Sequence, residues 1–311
     1  MKVSNAISNR TAAPPADPAA NGDSSSSTAD APAERFELAG PSLKLDPRIH
    51  AHRRDLADIA LAGRLFAPHY ARPLVRACGA RPILLHEKPS AQGDAASELL
   101  PGEMFAVLEY AGGWAWGYSC HDHYVGYVEA IELTDAAAPT HIVCEASAPI
   151  HPEDDIRAPV LAHLPMGSRL IGEEHGACLA SDLGCVPMSY LRRIEDHEED
   201  PAAVAQRLYG APYLLGGRTA NGIDCSGLVQ LAFGLCGIDL PRDSDLQRIA
   251  GKPVAAGEPV RRGDLVFMER HVGIMLDDLM MIHASRTAGK VCVEPLASVA
   301  ERAPVLERRR V

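Results

Sequence analysis

Aromatic side chains, long apolar runs and clustered positive charge are all scarce in this 311-residue chain, whose aromatic content is 5%. No apolar stretch reaches the ~20 residues that a membrane-spanning helix needs, so a helical span is not expected. The formal net charge is -11, and the one basic block is Arg308-Arg309-Arg310. Nucleic acid and anionic membrane are therefore disfavoured as partners. The first residues hold a single Lys and no apolar h-region, so no secretory signal is expected and the cytoplasm is the expected compartment. Eight cysteines lack tight regular spacing, which fits reduced thiols better than a disulfide scaffold. What is plentiful is ordinary hydrophobic content, 47%, enough for two or three small domains with cores.

Residues 1 to about 45 are Ala, Pro, Ser, Asp and Gly, including Ser24-Ser25-Ser26-Ser27. Without apolar periodicity they are expected to be disordered. Residues 46–71 form a lead-in in which 55–61 suggest a short helix. Residues 72–135 break into short strands: Pro82-Ile83-Leu84-Leu85, Met104-Phe105-Ala106-Val107-Leu108, Trp114-Ala115-Trp116-Gly117-Tyr118 and Tyr124-Val125-Gly126-Tyr127-Val128, separated by Gly, Pro and Asp turns. Residues 136–195 repeat this weakly. Leu100-Pro101-Gly102 returns as Leu164-Pro165-Met166-Gly167, and His86-Glu87-Lys88-Pro89 is echoed by His151-Pro152-Glu153. A tandem pair of small β-barrels is expected. Trp-x-Trp-Gly-Tyr followed by Tyr-x-Gly-Tyr-Val resembles bacterial SH3-like domains, while the second copy lacks those aromatics.

Residues 196–311 carry the chemistry. In Asn221-Gly222-Ile223-Asp224-Cys225-Ser226-Gly227-Leu228-Val229 an apolar run begins directly after the cysteine. Leu228, Val229, Ala232, Phe233 and Leu235 recur at helical spacing, and Gly237 supplies a stop. Asp224 is placed to cap that helix and Cys225 to sit in its first turn. There the helix dipole and free N–H groups are expected to lower the thiol pKa. Further helices are expected over 202–208 and after Leu240-Pro241-Arg242-Asp243-Ser244. Strands follow at Leu265-Val266-Phe267-Met268, His271-Val272-Gly273-Ile274-Met275 and Met280-Met281-Ile282-His283-Ala284. A helix layer followed by antiparallel strands gives an α+β domain.

A nucleophilic thiol needs a base, and the base needs a group that holds its tautomer. His271 and His283 lie in neighbouring predicted strands. A three-residue loop Leu276-Asp277-Asp278 would set Met275 opposite Leu279 and His271 opposite His283, with Cβ atoms roughly 4.5–5.5 Å apart. A two-residue Asp277-Asp278 turn would send the two rings to opposite faces. The mechanism requires the odd-numbered loop or a bulge of equal effect.

Asp224-Cys225-Ser226-Gly227, Arg262-Gly263-Asp264-Leu265-Val266-Phe267, His271-Val272-Gly273-Ile274 and Met281-Ile282-His283-Ala284 occur in that order. Together they resemble the NlpC/p-sixty family of cell-wall cysteine peptidases over about residues 200–300. The resemblance implies a pared-down papain-like domain with Cys225 as nucleophile, His271 as general base and His283 as orienting residue. With SH3-like domains in front, it implies a dipeptidyl-peptidase acting on free murein stem peptides. Such an enzyme cuts the γ-D-Glu–diamino acid bond and releases L-Ala-γ-D-Glu, with diaminopimelate or Lys in third position. It also implies that Asp224, a Tyr and a Glu of the first barrel hold the substrate's free ammonium. Tyr124 and Glu98 are the candidates here. Polar residues after the catalytic helix, Asp243 and Ser244, would hold the γ-D-Glu carboxylate. Ser244 is the better donor, and Asp243 better suits the loop or the amine. Ser226 joins the expected substrate-binding set.

Many relatives have an aromatic where this chain has Leu215, which bears on substrate preference rather than on the reaction. His121-x-His123, Cys178 and Cys185 do not assemble four zinc ligands at short paired spacings, so no metal and no cofactor is expected. A monomer is the expected state. Four other functions fit parts of the pattern: a murein-remodelling endopeptidase acting on intact wall, a related Cys–His amidase or acyltransferase, a murein-binding module with a decayed site, and a binder of Pro-rich ligands.

Overall fold

The computed structural model describes residues 43–311 except 93–94, 154–156 and 256. Nearly all of the expected disordered tail lies outside the described residues. Among the described residues no helix is long and apolar enough to cross a membrane.

The lead-in is not the short helix expected over 55–61. Leu56–Asp58 is a strand, parallel to His69–Ala71, and only Ile59–Leu61 turns, as a single 3₁₀ turn. Asp58 fixes that turn by accepting the Ala60 N–H at 2.9 Å. Packing decides the outcome. Leu56, Ala51 and Ala71 lie against Trp116 and Tyr127 of the first barrel, and Arg53 sits 4.3 Å above the Trp116 ring. A cation over an indole face is attracted by the ring quadrupole. The lead-in thus covers part of the aromatic surface that a Pro-rich ligand would need.

The first barrel is a five-stranded antiparallel sheet. Its strand order is Val125–Glu129, Trp114–Ser119, Met104–Ala111, Leu74–Cys78, Leu133–Asp135. A ribbon of Ile83–Leu85 and Ser97–Leu99 completes it. Gly112 and Gly113, both at positive φ (59° and 84°), make the two-residue turn between its longest strands. Such turns match the strands' right-handed twist and favour glycine. Leu85, Leu99, Phe105, Ala115 and Val128 fill the interior. The next segment is also all-β, in three small antiparallel sheets around Val143, Ala148, Leu164, Leu179 and Val186. One of its hairpins pairs Cys178–Ser181 with Gly184–Pro187, and a Cys178–Cys185 disulfide crosses it. The other six cysteines are free thiols, so the expectation of reduced thiols rather than a disulfide scaffold misses only this pair. The alternation of the two strands puts Cys178 and Cys185 on one face of a tight hairpin, which the spacing of all eight cysteines does not reveal.

The last domain sets helices on a six-stranded antiparallel sheet. The order is Lys252–Pro253, Glu307–Arg310, Leu265–Met268, His271–Met275, Met280–Ser285, Lys290–Pro295. Pro201–Gln206 is a helix capped by Asp200, and Ser244–Gln247 is a single short helical turn. The central helix, Cys225–Leu235, follows its Asp224 cap, and Gly237 at φ 76° ends it. Leu228, Val229, Ala232 and Phe233 bury their side chains against Val272, Ile274, Ile282 and Ala284 of the sheet. That apolar contact holds the cysteine-bearing end of the helix over the histidine-bearing strands. The C-terminal arginines are not a free basic end. Arg310 lies in an inner strand and pairs with Asp264 and Glu258.

The histidine hairpin keeps the required parity but not the expected register. Met275 pairs with Met281, not Leu279, and Ile274 with Ile282. Leu276 N–H closes onto the Met280 carbonyl at 2.8 Å, while Asp277 accepts the Leu279 and Met280 N–H groups. These bonds close a three-residue loop over 277–279, one residue further along the chain than the apolar pattern suggests. The shift is an even two residues, so His271 and His283 still share a face, as diagonal rather than direct neighbours.

Candidate active site

Asp224 caps the central helix by accepting the Gly227 N–H at 2.8 Å. Gly227 must be small. A Cβ there would meet the Gly217 carbonyl at 2.6 Å, and that closeness lets the preceding loop pack onto the helix start. Cys225 follows in the first turn, only 7% exposed, on the wall of a cleft of about 920 Å3. The Val272 backbone amide is near enough to the sulfur to act on the thiol pKa, lowering it, so the thiol lies beside the residue that follows His271.

The thiol pKa is not lowered. Burial pushes it up to about 11, and the Asp224 carboxylate adds to that shift. The helix start favours a thiolate, but desolvation and an adjacent anion outweigh it. His271 is shifted the other way, down to about 4, first by burial and then by neighbouring His283. The resting pair is thus neutral thiol and neutral imidazole, not thiolate and imidazolium.

His271 Nε2 and His283 Nδ1 are 2.8 Å apart. The rings meet edge to face, with centroids 4.9 Å apart and planes at 71°. The nitrogen left on His271 is Nδ1. On its far side His283 Nε2 is 2.9 Å from Glu294 Oε2, and Arg302 Nη2 donates to the same oxygen at 2.8 Å. His283, Cys292 and Glu294 also bring ligand atoms within 4.8 Å of one another. The Arg302 guanidinium on that carboxylate favours an ion pair there over a bound cation.

The remaining residues of the expected site divide into two groups. Asp224, Ser226, Tyr124, Asp243 and Ser244 all line the cleft with Cys225. Asp224 is, however, already saturated. It accepts from Gly216 and Gly227 N–H, from Ser226 Oγ, and from Arg242 Nη1 (2.9 Å) and Nη2 (2.7 Å). Burial alone would raise its pKa, but the Arg242 charge and hydrogen bonds hold it below the usual range. Ser226 is tied into the same knot through Arg242 Nη1 at 2.9 Å. Tyr124 Oη donates to Asp243 Oδ2 at 3.1 Å, and Arg48 Nη1 donates to that oxygen at 2.8 Å. Asp243 Oδ1 has no hydrogen-bond partner among the described residues. Glu98 does not line the cleft. It is buried beside it, accepting the Arg218 N–H at 2.5 Å.

Sequence reasoning missed the residues that fasten the first barrel to this domain. Arg218 makes a buried two-pronged pair with Glu103, at 2.8 and 3.0 Å. Gln230 reaches Asp122 at 2.7 Å, Arg242 reaches Ser97 at 3.0 Å, and Arg48 joins Asp243 and Asp245. Nothing in local spacing marks these partners, which lie far apart in the chain. Tyr213 was missed as well: it lines the cleft with Cys225. Leu215 is 57% exposed on the same wall. Glu294 had a legible signal. Cys292 pairs directly with His283, so strand alternation puts Glu294 on the same face two residues on.

Residues 210–310 match the NlpC/P60 family, and residues 85–133 match the bacterial dipeptidyl-peptidase Sh3 domain. A probable endopeptidase of Mycobacterium tuberculosis is 38% identical over 104 residues, 32% of this chain and 26% of that protein. Dipeptidyl-peptidase 6 of Lysinibacillus sphaericus is 26% identical over 241 residues, 68% of this chain and 88% of that protein. The chain therefore spans about a quarter of the mycobacterial relative's length (26%) but most of the second relative's. An NlpC/P60 family protein from Bacillus cereus superposes with TM-score 0.67 at 18% identity, covering 76% of this chain and 99% of that one. That likeness speaks for the fold. The cysteine-bearing helix and histidine-bearing antiparallel sheet lie within the first match and the five-stranded barrel spans the second, so the chain carries an NlpC/P60 domain of papain-like α+β fold together with a bacterial dipeptidyl-peptidase Sh3 domain.

Proposed function

We propose that the protein is a cysteine peptidase that hydrolyses the γ-D-Glu–diamino acid bond of free murein stem peptides and releases L-Ala-γ-D-Glu. The observation that carries this is the cleft itself. Cys225 lines it together with Tyr124 of the first barrel and Arg48 of the lead-in. A cleft lined in part by the first barrel and the lead-in suits a short peptide with a free N-terminus.

The walls fit the ends of such a peptide. They carry five carboxylates (Glu87, Asp224, Asp243, Asp245, Glu269) against three guanidinium groups (Arg48, Arg248, Arg270), which favours a substrate bearing ammonium groups. Both oxygens of Asp224 are already taken, two of the bonds coming from Arg242, so the L-Ala ammonium is assigned to Asp243, whose Oδ1 is open while Tyr124 and Arg48 hold Oδ2. Ser244 faces the same cleft and supplies a hydroxyl donor for the γ-D-Glu carboxylate. Glu98 then acts by holding the Arg218 backbone in place.

In the reaction the Cys225 sulfur bonds to the γ-carbonyl carbon as its proton passes to His271 Nδ1. Backbone N–H groups at the helix start stabilise the oxyanion, and Tyr213, which lines the cleft with Cys225, is assigned as a further donor. The C–N bond then breaks, and His271 returns the proton to the departing amine. Water cleaves the thioester, which frees the dipeptide and restores the thiol. Because both partners rest neutral, proton transfer accompanies attack rather than preceding it.

Cytoplasmic recycling of wall fragments suits a free-peptide substrate. One observation favours a second reading, remodelling of intact wall. The Cys178–Cys185 disulfide belongs to the kind of bond that persists in oxidising compartments. One experiment decides. The protein is incubated with L-Ala-γ-D-Glu-diaminopimelate, its Lys counterpart, the N-acetylated peptide and intact sacculi, and the products are read by mass spectrometry. Cleavage of the free peptides alone is expected. Equal processing of the N-acetylated peptide would favour an amidase or acyltransferase, and cleavage of sacculi alone would overturn the recycling assignment.

A further inference from the structure

We propose that Glu294, anchored by Arg302, is a positioning residue that sets the tautomers of both histidines so that His271 presents a bare Nδ1 to the thiol. The inference rests on the peptidase reading for its kinetic consequence but not for its structural one. An ionised carboxylate has no proton and can only accept. Glu294 is held in that form by the hydrogen bond from Arg302, reinforced by His283. At 2.9 Å from Glu294 Oε2, His283 Nε2 must therefore be the donor. A neutral imidazole has one N–H, so His283 Nδ1 is left as an acceptor. The 2.8 Å contact to His271 then requires the proton on His271 Nε2. Neutral His271 accordingly has a lone pair on Nδ1, the nitrogen a general base must use.

The alternative arrangement shows what the carboxylate prevents. With His283 protonated on Nδ1, that N–H would donate to His271 Nε2 and force the His271 proton onto Nδ1. The 2.8 Å contact would survive, yet no base would face the sulfur. The histidine pair alone is satisfied by either arrangement, and only a group beyond it separates them. Cys292 Sγ, 3.7 Å from His283 Nε2, is too weak a partner to do so. Arg302 completes the device by keeping the charge on Glu294 although His283 itself is buried.

The test is nitrogen NMR of the full chain with ¹⁵N-labelled histidine, at neutral pH and without substrate, combined with kinetics of Glu294→Leu and Glu294→Gln. In the wild type both His271 and His283 are expected as the Nε2–H tautomer. Glu294→Leu is expected to populate the Nδ1–H form of His271. Its kcat should fall at least about tenfold, short of the ~10⁴-fold cost of a fully wrong tautomer, with KM little changed. Glu294→Gln, whose amide oxygen can still accept from His283 and Arg302, is expected to restore both the tautomer and most of kcat. A wild-type His271 protonated on Nδ1 would overturn the proposal whether or not any variant folds. So would a Glu294→Leu protein with wild-type tautomers and kcat. Failure of the peptidase reading would show differently, as absent turnover in the wild type with the Nε2–H tautomers intact.

Discussion

Replacing Arg242 with methionine removes the guanidinium that holds the start of the central helix. Arg242 is 1% exposed at its side chain and Asp224 6%. The arginine makes two short bonds to Asp224 and one each to Ser226 and Ser97. Methionine fills similar volume but leaves Asp224 as a buried charge with only neutral donors, Gly216, Gly227 and Ser226. Stranding one member of a buried pair costs about 3–5 kcal/mol, equivalent to a fall in Tm of roughly 10 °C for a protein of this size. The cost depends on pH in a definite direction. In the wild type Asp224 sits below the usual carboxylate pKa, so its contribution is present above the unfolded pKa and lost as pH falls through the folded one. In the variant the carboxylate gains a proton readily and sheds the penalty on acidification. The difference between wild type and Arg242→Met is therefore largest near pH 7 and shrinks toward pH 4.5. Thermal unfolding followed by circular dichroism at both pH values reads this out. The double variant Arg242→Met/Asp224→Asn is expected to be more stable than Arg242→Met alone. A loss under about 1 kcal/mol at pH 7, or a double variant weaker than the single, would refute the claim that this pair holds the helix start.

Three further outcomes follow from the geometry. Burial pushes the His271 imidazole down to about 4, so with His271 as the proposed base kcat/KM should stay flat from pH 7 to about 5 and fall only through about 4. An acid limb near 6.5 would contradict the burial effect. Tyr213→Phe should lower kcat by on the order of tenfold or more with little change in KM, as expected for loss of an oxyanion donor; unchanged kcat would remove Tyr213 from the reaction. Cys178→Ser opens a disulfide of sequence separation 7 and should lower stability by about 2 kcal/mol, while cleavage of free peptide in an assay well below Tm stays unchanged.

The fold was legible where a periodic apolar face met a local signal. Leu228, Val229, Ala232 and Phe233 predict the central helix, Asp224 its cap and Gly237 its end, and all three stand as read. Strand parity was legible too, because period-two alternation survives a register shift of two. What was not legible depended on tertiary packing. Residues 56–58 are a strand because Trp116 offers them a surface. Burial, unreadable from spacing, reverses the shift expected for the Cys225 thiol. Likewise Arg218 with Glu103 and Arg242 with Ser97 bridge segments more than a hundred residues apart. Long-range polar pairs of this kind leave no periodic trace.

The central claim is that Cys225 is the atom-bonding nucleophile of this cleft. It is tested most directly by mixing the protein with L-Ala-γ-D-Glu-diaminopimelate, quenching in acid within milliseconds, and mapping the digested protein by mass spectrometry. The account predicts a thioester-linked L-Ala-γ-D-Glu on the peptide containing Cys225, absent from Cys225→Ala, which should also show no turnover. An adduct on another cysteine, or substrate cleavage by Cys225→Ala, would contradict it.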